Sequence, residues 1–189
     1  MPTLLASSRF LWLLLALPGI YWFWAYWQGI IFYGEFIHAS GVMAVRLLIL
    51  TLSVSAVGLL LPGHAFTRWL RRNRRYLGVA VFAYSLLHTL VYLQRQPLER
   101  ILAEMQQLAM WTGWLALLVF LALAATSNNP SLRLLGKKWK LLHRLVYPAA
   151  ALSLAHWVLT AFDPTIGYLH LGILAAVILF RVAMLRRAN

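Results

Sequence analysis

The 189-residue sequence contains no cysteine and only four acidic residues. The absence of cysteine excludes disulfide bonds, iron–sulfur clusters held by cysteine and any metal centre with a thiolate ligand. The sequence also lacks a G-x-G-x-x-G or Walker A pattern, which excludes the common dinucleotide and nucleotide sites. Any bound metal or cofactor must therefore be held by other side chains, of which the six histidines are the strongest ligands.

The composition is that of a membrane protein. Hydrophobic residues make up 62% of the chain and charged residues only 11%, against roughly 45–50% and 25% in soluble domains. A net charge of +13 in a soluble protein would indicate nucleic-acid binding. Here the basic residues stand in short clusters beside apolar runs, where they orient the chain and contact anionic lipid headgroups.

The apolar runs predict an all-α integral membrane protein, a six-helix transmembrane bundle that forms one domain over residues 1–189. The first run is long and rich in Trp and Tyr, so we interpret it as a span and not as a cleaved signal. The predicted spans are Phe10–Trp27, Gly41–Leu61, Tyr76–Leu93, Leu108–Thr126, Leu141–Thr160 and Tyr168–Leu185.

The distribution of charge predicts the orientation of the bundle. Fourteen of the seventeen Lys and Arg residues fall at alternate ends of successive spans, on one side of the membrane, whereas all four acids fall on the other. The positive-inside rule makes the basic side cytoplasmic, and both chain termini with it. The basic residues are Arg9, Arg68, Arg71, Arg72, Arg74, Arg75, Arg133, Lys137, Lys138, Lys140, Arg144, Arg181, Arg186 and Arg187.

Histidines inside spans are functional candidates, because an ionisable side chain in a bilayer is costly. His88 and His156 lie about two-thirds of the way along the third and fifth spans, both of which run outward, so the two share one depth. His143 lies thirteen residues before His156, about 20 Å along a helix. We expect Pro148, between them, to kink the fifth span.

Two imidazoles from neighbouring helices at one depth are what a six-coordinate haem needs, and we interpret His88 and His156 as its axial ligands. Arg46, inside the second span, either neutralises a haem propionate or extends to the membrane surface. His38, His64 and His170 lie near predicted interfaces and are interpreted as non-ligands. His64 does lie on the side of His143, so a second haem or a flavin there stays open.

At these residues the sequence resembles the MsrQ/YedZ family, the haem-binding membrane subunits of the periplasmic methionine sulfoxide reductase system, within the ferric-reductase-like transmembrane group. The resemblance covers most of residues 38–160. It is carried by Arg74-Arg75-Tyr-Leu-Gly before His88, by Thr126-Ser127, by Leu135-Gly136-Lys137-Lys-Trp139 before Leu142-His143, by Val146-Tyr147, by His156 and by His38-Ala-Ser-Gly41.

The resemblance implies six helices in the bacterial inner membrane, with b-type haem, one or two groups, held by His88, His143 and His156. It implies a flavin, FMN, as an additional cofactor. Electrons would come from the quinone pool or a cytoplasmic flavin reductase and pass to a periplasmic molybdopterin enzyme that repairs oxidised methionine. The chain would then be the redox subunit of an oxidoreductase system, not an enzyme by itself.

Two alternatives stay open on the sequence. A stand-alone transmembrane ferric or quinone reductase would have the same histidines and reduce a small acceptor at its outer face. A non-redox transporter or membrane scaffold would use the histidines for proton transfer or packing, although the sequence has no convincing internal repeat of the kind that transporters show.

Overall fold

The computed structural model describes residues 7–187, and their secondary structure is entirely helical. Residues 1–6 and 188–189, and with them the two chain ends that we predict to be cytoplasmic, lie outside the described residues. The helices are α1 (Ser8–Trp27), α2 (Tyr33–Leu60), α3 (Ala65–Arg95), α4 (Leu98–Glu104), α5 (Leu108–Ala125), α6 (Asn129–Leu135), α7 (Lys137–His143), α8 (Val146–Thr160) and α9 (Thr165–Arg187).

Five of the described helices, α1, α2, α3, α5 and α9, are long and apolar enough to cross a membrane. The prediction of an all-α membrane protein is thereby confirmed. Helix α8 is equally apolar in character but has 15 residues, about 22 Å of helix against a hydrocarbon core of about 30 Å. Only its length separates it from the other five.

The helices differ from the predicted spans mainly at their beginnings. Helix α2 begins at Tyr33, eight residues before the predicted Gly41, and α3 begins at Ala65 instead of Tyr76. The apolar run marks the part of a helix that contacts lipid, whereas the backbone hydrogen bonds continue into polar sequence. The cluster of arginines from Arg68 to Arg75 is therefore helical and belongs to α3.

The predicted fifth span is divided into two helices. Helix α7 ends at His143 and α8 begins at Val146, so His143 and His156 do not share one helix as predicted. The interruption at Arg144 and Leu145 lies four and three residues before Pro148, where a proline disturbs a helix, so the expected kink takes the form of a break between two helices. Pro148 lies in the first turn of α8, where the amide hydrogen that proline lacks would have no partner within the helix.

The bundle is built around two close helix pairs. Helix α2 packs along α3, and α5 packs along α8, while α9 covers α2 and α1 contacts both members of the first pair. Helix α2 contributes the largest share of the buried apolar side chains, among them Leu48, Leu52 and Val54. It is therefore the central helix, and the two pairs meet across it and across the contact of α3 with α5.

Helix α1 is attached to α3 through one buried hydroxyl. The Tyr84 hydroxyl donates to the carbonyl of Leu15 at 2.7 Å and accepts from the amide of Gly19 at 3.0 Å. A methyl group at Gly19 would lie 3.2 Å from the Tyr84 ring, so glycine permits the close approach. This buried polar contact, together with the exposed hydrogen bond from the Tyr26 hydroxyl to Gln94, gives α1 a fixed register against α3.

Replacing Tyr84 with Phe should therefore loosen α1. The substitution keeps the ring and removes both hydrogen bonds, and interhelical hydrogen bonds in membranes contribute roughly 0.5–2 kcal/mol. We expect a lower temperature of thermal unfolding in detergent, with protease cleavage appearing first in the connection between α1 and α2. An unchanged unfolding temperature would show that packing alone fixes α1.

Candidate functional site

His88 of α3 and His156 of α8 face each other between the two helix pairs. Their ring centroids are 6.5 Å apart and their ring planes are inclined by 84°. Both side chains are half-buried. His88 lies seven residues before the end of α3 at Arg95, and His156 four residues before the end of α8 at Thr160. These two residues, which we call the histidine pair, therefore lie at one end of the bundle.

Each imidazole is held through its Nδ1 by a carbonyl of the neighbouring helix. Nδ1 of His88 lies 3.0 Å from the carbonyl oxygen of Ile37, and Nδ1 of His156 lies 2.8 Å from that of Ala109. A carbonyl oxygen can only accept, so Nδ1 of each ring carries the proton and the neutral ring presents Nε2 as its donor atom. Metal-ligating histidines are typically fixed in this way.

The two carbonyls are accessible because a glycine lies four residues after each. Gly41 follows Ile37 by four residues in α2, and Gly113 follows Ala109 by four in α5. Residues four apart lie on one helix face, so a side chain at either glycine would stand between carbonyl and imidazole. A methyl group at Gly113 would lie 2.8 Å from Nδ1 of His156, and one at Gly41 would lie 3.3 Å from Nδ1 of His88.

A cavity of about 580 Å³ contains the histidine pair. This volume is within the range of pockets that hold cofactors and ligands. On the side towards the middle of the bundle its lining is apolar and includes Leu48 and Phe120. At its other end the lining is polar. We call this polar end the rim, and it consists of Tyr33, Tyr92, Gln96, Arg100 and Glu104.

The distance between the rings suits one metal ion with two axial imidazoles. Two metal–nitrogen bonds of about 2 Å, with about 1.1 Å from each nitrogen to its ring centroid, give a centroid separation of roughly 6 Å. The observed 6.5 Å agrees with this arrangement. Within the described residues no group of three or more His, Asp or Glu side chains comes together, so any metal here would need its remaining ligands from a cofactor.

His143 is not part of this site. It lies at the end of α7, and its ring stacks on Trp139 at 3.8 Å between centroids. Its Nδ1 lies 3.1 Å from the Trp139 carbonyl oxygen and its Nε2 lies 3.4 Å from the Ser127 hydroxyl. Both ring nitrogens thus have protein partners. The structure brings together two of the three predicted ligands, and His143 lies apart from them.

The remaining predicted candidates lie in three different places. Arg46 is exposed on α2 and is not among the residues that line the cavity. His64 caps the first turn of α3 by accepting from the amide of Phe66. His170 is buried beside Trp157. His38 does line the cavity, on an exposed position of α2, although its place near an interface gave no reason to expect this.

The rim was not predicted from the sequence. Arg100 and Glu104 form an ion pair of 2.7 Å along α4, and the Tyr92 hydroxyl donates to the second carboxylate oxygen of Glu104 at 2.6 Å. The hydroxyl of Tyr92 and the guanidinium of Arg100 hold the pKa of Glu104 below its ordinary value. The spacing of Arg100 and Glu104 predicts such a pair, but not that α4 lies over the cavity.

The fold and the site together define a polytopic helical membrane protein with a histidine pair in a cavity between its helices. A family model described as "Ferric reductase like transmembrane component" matches residues 40–154, a range that contains Gly41, His88 and Gly113. The chain belongs to this ferric-reductase-like transmembrane family, and within it to the MsrQ proteins. The resemblance seen in the sequence is confirmed.

Three relatives illustrate the similarity. The chain is 36% identical over 152 residues to the "Protein-methionine-sulfoxide reductase heme-binding subunit MsrQ" of Brucella anthropi, covering 78% of this chain and 67% of the relative. It is 37% identical over 153 residues to the proteins of that name from Brucella ovis and Brucella canis, with the same coverage. No solved structure matches the chain.

Proposed function

We propose that the chain is a b-type haem subunit for membrane electron transfer, with His88 and His156 as the axial ligands of one haem. The observation that carries the proposal is the pair of imidazoles 6.5 Å apart, each with its Nδ1 bound to a carbonyl. The similarity to proteins named haem-binding subunits supports it independently.

The donor set fits haem better than a metal ion alone. Two neutral imidazoles, those of His88 and His156, would hold the iron, and a porphyrin would supply the four further nitrogens for which these residues offer no ligands. The cavity is apolar on the side of Leu48 and Phe120 and polar at the rim, which suits a flat group with a hydrophobic and a carboxylate edge. The 6.5 Å between the ring centroids leaves room for such a group between the two imidazoles.

The proposed topology has six spans. They are the five long apolar helices and α8, which is the shortest of the six. A 15-residue span is tolerated when the bilayer thins locally or flanking residues extend to the surface. The basic ends of α3 and α9 would lie in the cytoplasm and the histidine pair near the outer face of the bacterial inner membrane. The positive-inside distribution of the charges supports this orientation.

The residues of the chain would bind the cofactor, orient it and shield it from water. The cofactor, when bound, supplies one-electron chemistry. The carbonyls of Ile37 and Ala109 keep Nδ1 of each imidazole protonated and so reserve Nε2 for the iron. The apolar lining excludes water from one side. Electrons would enter from quinol or from a cytoplasmic flavin reductase. The basic end of the bundle would attract an acidic surface or a flavin phosphate of such a reductase. The electrons would then pass to a periplasmic molybdopterin methionine sulfoxide reductase.

The roles of His143 and Arg46 stay predictions. His143 lies beside the basic sequence of α7, where a second haem or FMN would meet electrons from the cytoplasmic side. Binding there would require Nε2 of His143 to exchange its contact with Ser127 for the cofactor. Arg46, exposed on α2, is placed for contact with lipid or a partner, and the proposal for the histidine pair does not depend on it.

A test of the function starts from the purified protein, expressed with ample haem. We expect an absorbance spectrum of low-spin haem that sharpens on reduction with dithionite. The reduced protein is then mixed with the periplasmic reductase and methionine sulfoxide, or with chelated ferric iron alone. Rapid haem oxidation that depends on the reductase supports the proposal, whereas equally rapid oxidation by chelated iron would favour a stand-alone reductase. A colourless protein would contradict haem binding altogether.

A further inference from the structure

The cavity has different chemistry at its two ends, and this difference concerns the orientation of the haem. Leu48 lies seven residues after Gly41 in α2, and Phe120 lies seven after Gly113 in α5, each about 10 Å along its helix from the level of the histidine pair. Both face the cavity and are buried. A haem carries two propionate carboxylates on one edge, and burying them among these side chains would be strongly unfavourable.

The opposite end offers polar partners. Of the Lys and Arg side chains in residues 7–186, only that of Arg100 lines the cavity. Its Nε donates to Glu104 at 2.7 Å, and a guanidinium has five N–H donors, so its terminal nitrogens can bind a second carboxylate. Beside it, the Tyr33 hydroxyl accepts from the amide of Gln96 at 3.2 Å and keeps its own O–H for donation.

We propose that the rim is the propionate-binding subsite, with Arg100 as the cation that binds a propionate and Tyr33 as a neutral donor beside it. This inference rests on the proposed function. It assigns to Arg100 one of the two roles that the sequence left open for Arg46, because Arg46 is exposed on α2 and does not line the cavity. The haem would then be bound with its propionates towards α4, which lies between α3 and α5 in the chain.

Glu104 has a positioning role in this subsite. Its carboxylate takes one hydrogen bond from Tyr92 and one from Arg100, which fixes the guanidinium over the cavity mouth. Arg100 exposes 62% of its side chain and Glu104 only 21%, so the carboxylate is the anchored partner. Its negative charge opposes that of a propionate. The two residues of the pair should therefore affect the haem in opposite directions.

The experiment measures haem midpoint potentials in the full chain by redox titration. Arg100→Gln removes a positive charge near the propionates. Because loss of this charge stabilises the ferric form relative to the ferrous form, the midpoint potential should fall. Glu104→Gln keeps an acceptor for Tyr92 but removes a negative charge, and should raise it. Arg46→Gln is the matched control, with no shift expected. Equal potentials in Arg100→Gln and the unchanged protein would overturn the proposal.

Binding of haem and of haem dimethyl ester, which lacks the carboxylates, gives a second readout. In protein purified without haem, Arg100→Gln should weaken haem binding about tenfold, the scale of a partly exposed charged hydrogen bond. It should leave binding of the ester unchanged. An equal loss for both ligands would show that Arg100 supports only the structure.

The two readouts separate failure of this inference from failure of the proposed function. If neither haem nor its ester binds to the unchanged protein, the histidine pair is not a haem site and both proposals fail. If both bind and the substitutions in the rim shift neither potential nor affinity, the haem site stands and the propionates point elsewhere.

Discussion

Replacing His156 with Ala should abolish the low-spin haem spectrum. The substitution removes one of two imidazoles that face each other at 6.5 Å, and no other His, Asp or Glu in the described residues joins them as a third ligand. The iron would keep a single axial ligand from His88, and most of the haem should be lost during purification. Absorbance spectra of oxidised and reduced protein, with the haem-to-protein ratio, measure the effect. His88→Ala should give the same result.

Two other histidines serve as controls for that experiment. His170 is a buried histidine at the same end of the bundle, where its ring bonds to the carbonyl of Ile166. It does not line the cavity, so the haem spectrum of His170→Ala should be unchanged. His143→Ala should leave the spectrum of the pair intact and remove only a contribution from a second cofactor, if one is bound. A normal spectrum for His156→Ala would contradict the axial assignment.

A methyl group at Gly113 should have nearly as large an effect as loss of the ligand. In Gly113→Ala it would lie 2.8 Å from Nδ1 and 2.9 Å from Cε1 of His156, closer than unbonded atoms approach. The imidazole cannot retreat without breaking its 2.8 Å hydrogen bond to Ala109. We expect a shift from low-spin to high-spin or weakly bound haem, measured by absorbance and by electron paramagnetic resonance.

The same substitution at two other glycines gives a graded series. At Gly41 the nearest atom of His88 would be 3.3 Å away, a tight contact that small movements relieve, so Gly41→Ala should shift the haem potential but retain the haem. Gly172→Ala, in α9, meets nothing within 4 Å and should leave the spectrum unchanged. Alanine also favours the helix in all three, so haem loss with Gly113→Ala alone would be steric. Equal spectra across the series would contradict a role for the glycines.

One arrangement recurs at three places in the bundle. Leu15 and Gly19, Ile37 and Gly41, and Ala109 and Gly113 each pair a carbonyl with a glycine four residues later, and each receives a polar side chain of a neighbouring helix. The glycine uncovers the carbonyl on that face. In a bilayer, where polar side chains need partners, this arrangement fixes a tyrosine and both histidines without any acidic residue.

Much of the fold was predictable because the membrane imposes it. Apolar runs of about 20 residues require helices, and counting from their ends placed His88 and His156 at one depth, where the structure brings them together. Hydropathy did not place the division before Val146, because apolar residues continue on both sides of His143 and Arg144. The early start of α2 was equally hidden, because hydropathy marks only the most apolar part of a helix, whereas the helix itself can continue into less apolar sequence.

The candidate site was predictable only in its ligands. The sequence could not connect Gly41 to His88 or Gly113 to His156, because these contacts join helices that are separated along the chain. On depth alone it offered Arg46 either to a propionate or to the membrane surface. Depth follows from sequence position, whereas the direction in which a side chain leaves its helix is decided by the packing of that helix, and α2 turns Arg46 away from the cavity.

The sequence by itself determined that this protein is a helical membrane protein, which side of it is basic and which histidines share a level, since each depends on composition and on counting along the chain. Only the tertiary structure decided that His88 and His156 face each other with Nδ1 occupied, that His143 stands apart, and that α4 brings Arg100 over the cavity. These depend on the rotation and contact of helices, which are set by side-chain packing between distant segments.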